Sequence, residues 1–287
     1  MTKKINTASF ALLGRTNVGK STLLNHLLNE DIAITSHKHH TTRTKILGVL
    51  NEDNYQLIFL DTPGLGQKTH NPIQRLMMRT TQACMTEADV FLFMIDTENL
   101  TSTDHKLLEI LKEHHKEIIL IINKIDVLDH HQLEHFITSP PDGVSSVIPL
   151  SAKRESNLDL LIGRLKLSCE QSTQQYEKNY ITNQTHDVMM SEIVREQILT
   201  FCHQEVPHEL KVEIEKYIEK PKINEVHVLI TVKNNNHKKI IIGKQGQNLK
   251  RIGTNARLKI EHFLNKKVMM KIWVKVDDHW MDSAQYE

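Results

Sequence analysis

Gly14-Arg15-Thr16-Asn17-Val18-Gly19-Lys20-Ser21 fits the pattern G-x-x-x-x-G-K-[ST] at every fixed position. Glycines in such a loop let backbone N–H groups turn inward onto phosphate oxygens, and the positive end of a following helix faces the same anion. A lysine at the position of Lys20 reaches the β- and γ-phosphates, and a hydroxyl at the position of Ser21 ligates Mg²⁺. An apolar run over 10–13 comes before the loop, and a helix-forming run from Thr22 to residue 28 follows it. That is the strand–loop–helix setting in which the pattern carries meaning.

Two further clusters name a base. Asn123-Lys124-Ile125-Asp126 closes the apolar run 118–122, and Ser151-Ala152-Lys153 closes the run 147–150. Guanine presents its N1–H and its exocyclic NH₂ side by side, so one carboxylate, Asp126, can accept from both. Adenine would leave that carboxylate unpaired, a penalty on the order of 10²-fold in affinity or more. Between these clusters, Asp61-Thr62-Pro63-Gly64 ends the run 57–60. Asp61 is placed to hold Mg²⁺ through its water shell, and the Gly64 N–H to meet the γ-phosphate. Upstream, Thr41-Thr42-Arg43 offers a threonine to complete the Mg²⁺ shell; Thr42 is favoured and Thr41 stays open. Lys20, Thr42 and Gly64 are therefore the candidate catalytic set, with no residue assigned to orient the attacking water.

The elements that must position these residues follow from the apolar pattern. Short apolar runs alternate with amphipathic stretches of helical length up to about residue 170, which predicts an α/β domain with a mixed sheet and helices on both faces. Strands are expected near 8–13, 46–50, 55–60, 89–95, 117–122 and 146–150, and helices near 20–29, 72–86, 103–115, 131–137 and 157–169. Every cluster above except Thr41-Thr42-Arg43 falls at or just after the end of a predicted strand, where open α/β sheets bind ligands. Residues 171–187 are rich in Gln, Asn and Thr without periodicity and read as a linker.

A different pattern begins at 188. Met190, Val194, Ile198 and Phe201 mark one face of a helix, and Val226, Val228, Ile230 and Val232 alternate as in a strand. The order is α-β-β-α, then Gly243-Lys244-Gln245-Gly246, then α-β. A GxxG loop between two helices is the single-stranded RNA clamp of KH domains, here of the β-late type II form. Lys244 adds charge at the loop, and Lys250 and Arg251 follow within two turns.

Charge agrees with this division. Residues 222–275 carry thirteen Lys and Arg against Glu225 and Glu261, a net +11, so the rest of the chain stands at −10 to give the total of +1. A small domain this basic suits a polyanionic partner. Cys84, Cys169 and Cys202 stand apart, which argues for a reducing compartment and against a disulfide framework or thiolate zinc. No apolar run approaches 18 residues and no signal-like segment opens the chain, so a cytoplasmic protein is expected. The 18 histidines include the pairs His114/His115 and His130/His131, without ligand spacing to a carboxylate or thiol.

Taken in order, the five nucleotide clusters resemble the G motifs of the translation-factor-class small GTPases. With the GxxG domain behind them, residues 6–280 resemble the Era family of bacterial ribosome-assembly GTPases, down to ITSHKHHTTR at 34–43, SEIVREQIL at 191–199 and WVKV at 273–276. The resemblance implies a GTPase domain over 1–170, a linker over 171–187 and a KH domain over 188–287. It implies GTP and GDP as nucleotides with Mg²⁺, and a monomer that binds the 3′ end of 16S rRNA during assembly of the 30S subunit. Peripheral contact with the inner membrane is a family property. Leu65 stands where Ras-like chains carry a water-orienting glutamine, so hydrolysis is expected to be slow. Asn17 stands where related GTPases lacking that glutamine place a K⁺ ligand. Two positions depart from the family's habit: Thr16 replaces a frequent proline, and Gln245 a frequent glycine.

Overall fold

Residues 90–95 are apolar throughout and 117–122 nearly so, the composition of strands covered on both faces. In the computed structural model, which describes residues 4–33, 45–64, 72–202 and 210–280, they form β4 (Val90–Ile95) and β5 (Glu117–Ile122) inside a seven-stranded sheet. The chain divides into two units, Met1–Asn183 and Gln184–Glu287.

The first unit runs β1 (Lys4–Gly14), α1 (Lys20–Leu28), β2 (Ile46–Glu52), β3 (Tyr55–Asp61), α2 (Pro72–Glu87), β4, α3 (Ser102–Lys112), β5, α4 (His130–Thr138), β6 (Ser146–Pro149), α5 (Leu158–Leu167) and β7 (Glu170–Thr173). The sheet order is β2-β3-β1-β4-β5-β6, with β2 antiparallel to β3 and the remaining neighbours parallel. Successive side chains of a strand point to opposite faces, so β1 sends Phe10 and Leu12 into one core with α1 and α5, and Ala11 and Leu13 into another with α2, α3 and α4.

Two expectations change here. The first strand starts at Lys4 instead of residue 8, because Lys4–Thr7 pairs antiparallel with β7 in the space beside β1 that β4 does not reach. The stretch 171–187, expected as a linker, is largely part of the first unit. After β7 it crosses buried Gln56, whose Oε1 accepts from the Gln175 and Tyr176 amides at 3.0 Å and whose Nε2 donates to the Tyr176 carbonyl at 2.9 Å. It then runs along the edge strand β2: Asn51 Nδ2 donates to the Tyr180 carbonyl, the Val49 amide to the Ile181 carbonyl, and the Leu47 amide to Asn183 Oδ1. Tyr176 and Tyr180 stack at 4.9 Å against the second core. The segment is held by amides and two aromatic rings, which leave no hydrophobic period to read.

The second unit comprises α6 (His186–Phe201), β8 (Leu210–Ile218), β9 (Asn224–Val232), α7 (Asn235–Ile242), a 3-10 turn (Lys244–Gly246), α8 (Gln247–Phe263) and β10 (Val268–Val276). Its sheet order is β10-β9-β8, with β9 parallel to β10 and antiparallel to β8. The inward valines of β9 and Ile230 meet Met190, Val194 and Ile198 of α6 and Ile252, Ala256 and Ile260 of α8 in one core.

Candidate nucleotide site and nucleic-acid loop

Five strand ends converge on one rim of the first sheet: Gly14 closes β1, Asp61 closes β3, Asp96 follows β4, Asn123 follows β5, and Ser151 lies just beyond β6. This is the carboxyl edge of the parallel strands, where such sheets take ligands.

The phosphate loop spans Gly14 to Ser21, with Val18 fully buried beneath it and Thr22 continuing α1. Lys20 donates through Nζ to the carbonyls of Gly14 at 3.2 Å and Arg15 at 2.9 Å, so the ammonium closes the loop on itself. Burial lowers its pKa from 10.5 to about 8, partly opposed by Asp61 and Asp96. Ser21 Oγ donates to Asp61 Oδ2 at 2.7 Å. A hydroxyl and a carboxylate held together are hard oxygen donors of the kind Mg²⁺ prefers, so the residues present fit that ion.

Asn123 braces the site from behind. Its Nδ2 donates to the Val18 carbonyl at 2.7 Å, and its Oδ1 accepts from the Ala152 amide at 2.9 Å. One buried side chain thus joins the phosphate loop to both base loops. Asp126 is exposed, and its Oδ1 accepts from Ser151 Oγ at 2.6 Å, which with the nearby charges of Arg154 and Lys153 lowers its pKa. Lys124, in the left-handed region at φ 64, donates to the Asn17 carbonyl at 2.8 Å.

Three of the sequence-nominated residues are bonded to the scaffold, Thr62 and Arg15 through their side chains and Pro63 through its backbone. Thr62 Oγ1 donates to the Leu12 carbonyl at 2.6 Å, fixing the Asp61 strand to β1. Pro63 presents its carbonyl to Thr81 Oγ1 at 3.3 Å. The Arg15 guanidinium is engaged by Asp96 and Asp104, so its place in the loop is held by an ion-pair pocket. Those two aspartates are outside every motif, and nothing in their spacing singles them out. Thr41, Thr42 and Leu65 lie outside the described residues.

In the second unit, Gly243 ends α7 at φ 71, and Asn248 Nδ2 donates back to the Ile240 carbonyl at 3.0 Å. Gln245 takes a left-handed conformation (φ 52, ψ 27), a strained choice for a residue with a Cβ. Gly246, at φ 77, has no heavy atom within 4 Å of where a Cβ would stand, so its open side is free for close approach by a backbone. Lys244, Lys250 and Arg251 are exposed, the last over the Phe201 ring at 4.2 Å.

A phosphate-loop GTPase unit joined to a KH unit is the class that this fold and these sites define. Residues 9–124 match the family described as 50S ribosome-binding GTPase, and residues 205–281 match the KH domain family. GTPase Era of Thermoanaerobacter sp. (strain X514) is 40% identical over 279 residues, covering 96% of this chain and 92% of that protein. GTPase Era of Vibrio parahaemolyticus serotype O3:K6 is 36% identical over 280 residues, covering 96% and 88%. The crystal structure of Era in complex with MgGDPNP and nucleotides 1506–1542 of 16S ribosomal RNA superposes with a TM-score of 0.92 at 34% identity, over 98% of this chain and 97% of that one. The chain belongs to the Era family of GTPases.

Proposed function

We propose that this GTPase is a guanine-nucleotide switch whose KH domain takes the 3′ end of 16S rRNA during assembly of the small ribosomal subunit. What carries the RNA half is the distribution of unpaired charge. Among the described residues no carboxylate pairs with Lys238, Lys239, Lys244 or Lys250, which lie on α7, the GxxG loop and the start of α8. Lys220, Arg257, Lys259, Lys267 and Lys271 of the same unit each have a carboxylate partner. Among the described residues the further lysines without one, Lys216, Lys222 and Lys266, lie on β8 and in the turns before β9 and β10. Cations left without partners beside an open Gly246 suit a phosphate backbone. The solved Era relative is bound to such an RNA segment together with MgGDPNP.

On the nucleotide side, the backbone from Gly14 to Gly19 cradles the phosphates, Lys20 neutralises their charge, and Asp126 selects the guanine edge. Ser21, Asp61 and Thr42 are the proposed holders of Mg²⁺, which when bound offsets charge on the phosphate oxygens. Gly64 presents its N–H to the γ-phosphate, a contact that GTP offers and GDP does not. Asn17 offers a carboxamide oxygen, a donor suited to K⁺; hydrolysis should then run faster in K⁺ than in Na⁺ buffer, and equal rates would remove this role. The protein is expected to act as a cytoplasmic monomer.

RNA crosslinking in cell extract, with a non-hydrolysable GTP analogue and with GDP, tests the whole. A footprint at the 3′ end of the small-subunit rRNA that strengthens with the analogue is the expected result. Scattered or nucleotide-independent crosslinks would leave a GTPase without this partner.

A further inference from the structure

Asp96 divides its two oxygens between loops that serve opposite ends of the nucleotide. Its Oδ1 accepts from Arg15 Nη2 at 2.7 Å, and its Oδ2 from Lys124 Nζ at 2.6 Å. Lys124 passes the connection on, since the same ammonium donates to the Asn17 carbonyl of the phosphate loop. Behind Asp96 stands Asp104, fully buried, which receives Arg15 Nε on both oxygens at 3.0 and 3.1 Å. Asp104 also completes the capping box of α3 by accepting from the Thr101 amide at 3.0 Å, so Arg15 is anchored to a fixed helix end.

Two cations and two carboxylates thus form one chain from α3 to the base loop. The Asp96 side chain is 17% exposed and that of Asp104 is 0%, against 24% for Arg15 and 39% for Lys124. The carboxylates are therefore shielded, while the Lys124 end of the chain stays open to water, which weakens that pair. Charge-assisted bonds of this length are the strong ones. Arg15 has its Nε and one terminal nitrogen committed, which makes it a tether between the phosphate loop and the two aspartates. Lys124 has a long stem with several rotatable bonds, and Asp96 fixes where that stem lies.

We propose that Asp96 is a positioning residue that fastens the base loop to the phosphate loop, so that nucleotide residence time depends on it although it touches no nucleotide. Both loops then hold their ends of the ligand as one body, and loosening either should release the whole. The inference rests on the assignment of Asn123 to Asp126 as the base loop.

The test is the release of N-methylanthraniloyl-GDP from the full chain carrying Asp96→Asn. The carboxamide has one acceptor oxygen in place of two and cannot serve both cations. Release should quicken by about ten-fold, the scale of a lost charge-assisted bond. The kcat at saturating GTP should stay within about two-fold, because the reacting end keeps its own contacts. Preference for GDP over IDP should not move, because the 2-amino group belongs to Asp126. A merely structural role would instead lower the melting temperature of the nucleotide-free protein and reduce kcat with it. Combining Asp96→Asn with Lys124→Met should add little beyond the larger single effect.

Unchanged release in a folded Asp96→Asn protein overturns the proposal, as do fully additive effects with Lys124→Met. If Asp96→Asn does not fold, Asp96→Glu replaces it: the extra methylene displaces both cations while keeping the charge, and the same acceleration or its absence decides. A wild-type chain that fails to bind the fluorescent GDP would remove the base-loop assignment itself. A wild-type chain that binds, with a variant that releases no faster, removes only the role of Asp96.

Discussion

Gly64 lies against Thr16 so closely that a Cβ on the glycine would stand 2.7 Å from the Thr16 Cα and 2.8 Å from its amide nitrogen. The two residues come from different motifs, the end of the Asp61 strand and the middle of the phosphate loop. The Thr16 Cγ2 is equally near at 2.8 Å, but two of the three close atoms are backbone, so turning a side chain cannot relieve the contact. Gly64→Ala should therefore part the two segments by several tenths of an ångström and draw the residue 64 amide away from a γ-phosphate. GDP affinity is expected to stay within about two-fold while GTP affinity falls by about ten-fold, the loss of one hydrogen bond to a charged group. Parallel titrations with GDP and a GTP analogue check this, and equal losses for both would show that the contact serves the loop and not the third phosphate.

Lys20, as the proposed phosphate ligand, should make nucleotide binding a proton-linked event. Its ammonium titrates near pH 8 in the nucleotide-free chain because burial strips its water. Phosphate oxygens favour the charged form, so the bound pKa must be higher than the free one. Between the two values, binding takes up a proton, and affinity should fall by up to about ten-fold per pH unit as pH rises through 8. Below pH 7 the affinity should be flat with respect to this group. Calorimetry at pH 8.5 in two buffers of different ionisation enthalpy would read the uptake directly, and identical heats in both would contradict it.

The carboxylate of Asp126, the proposed acceptor for the guanine edge, accepts from the Ser151 hydroxyl. Asp126→Asn keeps the shape and replaces one acceptor oxygen with an NH₂ donor. That donor suits the carbonyl that xanthine carries where guanine has an amine, so preference should pass from GTP to XTP. Guanine discrimination of about 10²-fold should be lost in the exchange. Hydrolysis measured with both nucleotides decides, and a variant that still prefers GTP would refute the assignment of the base edge.

The GxxG loop offers two substitutions with opposite expectations. Gly246→Asp finds open space at its Cβ, and Asp tolerates positive φ better than most residues, so the fold should persist. The new negative charge faces the path of an RNA backbone, and RNA affinity should fall by about 10²-fold or more with GTP hydrolysis nearly unchanged. Gln245→Gly removes the left-handed strain at φ 52 and should raise the stability of the unit by about 0.5–1 kcal/mol, net of glycine's entropy. Filter binding and thermal melts read these two outcomes. Full RNA affinity in Gly246→Asp would strip the loop of its role.

Much of the first sheet was legible because its strands are buried on both faces: a run such as 90–95 has one reading in a chain with these loops. The nucleotide motifs were legible for a related reason, since each demands fixed residue types at a strand end. Arg15 and Thr62 show the limit of that reading. Their positions mark the motif, yet their side chains go to Asp96, Asp104 and the Leu12 carbonyl. Single carboxylates such as Asp96 and Asp104 leave no pattern, because what selects them is a partner roughly eighty or ninety positions away in the chain. In the second unit the alternation of β9 and β10 was clear, because one face packs against helices and the other does not.

Gln56 also decides where the nucleotide unit can be separated from the rest of the chain. A fragment ending near residue 169 would keep every nucleotide motif and look complete by sequence. It would leave Gln56 buried without the Tyr176 partners, bare the Lys4–Thr7 side of β1, and uncover Leu47 and Val49 on an edge strand. Uncapped strand edges recruit other copies of themselves, and such a fragment should be prone to aggregation. The safe cut lies after Asn183, where the amide pairing along β2 is finished and α6 has not yet begun.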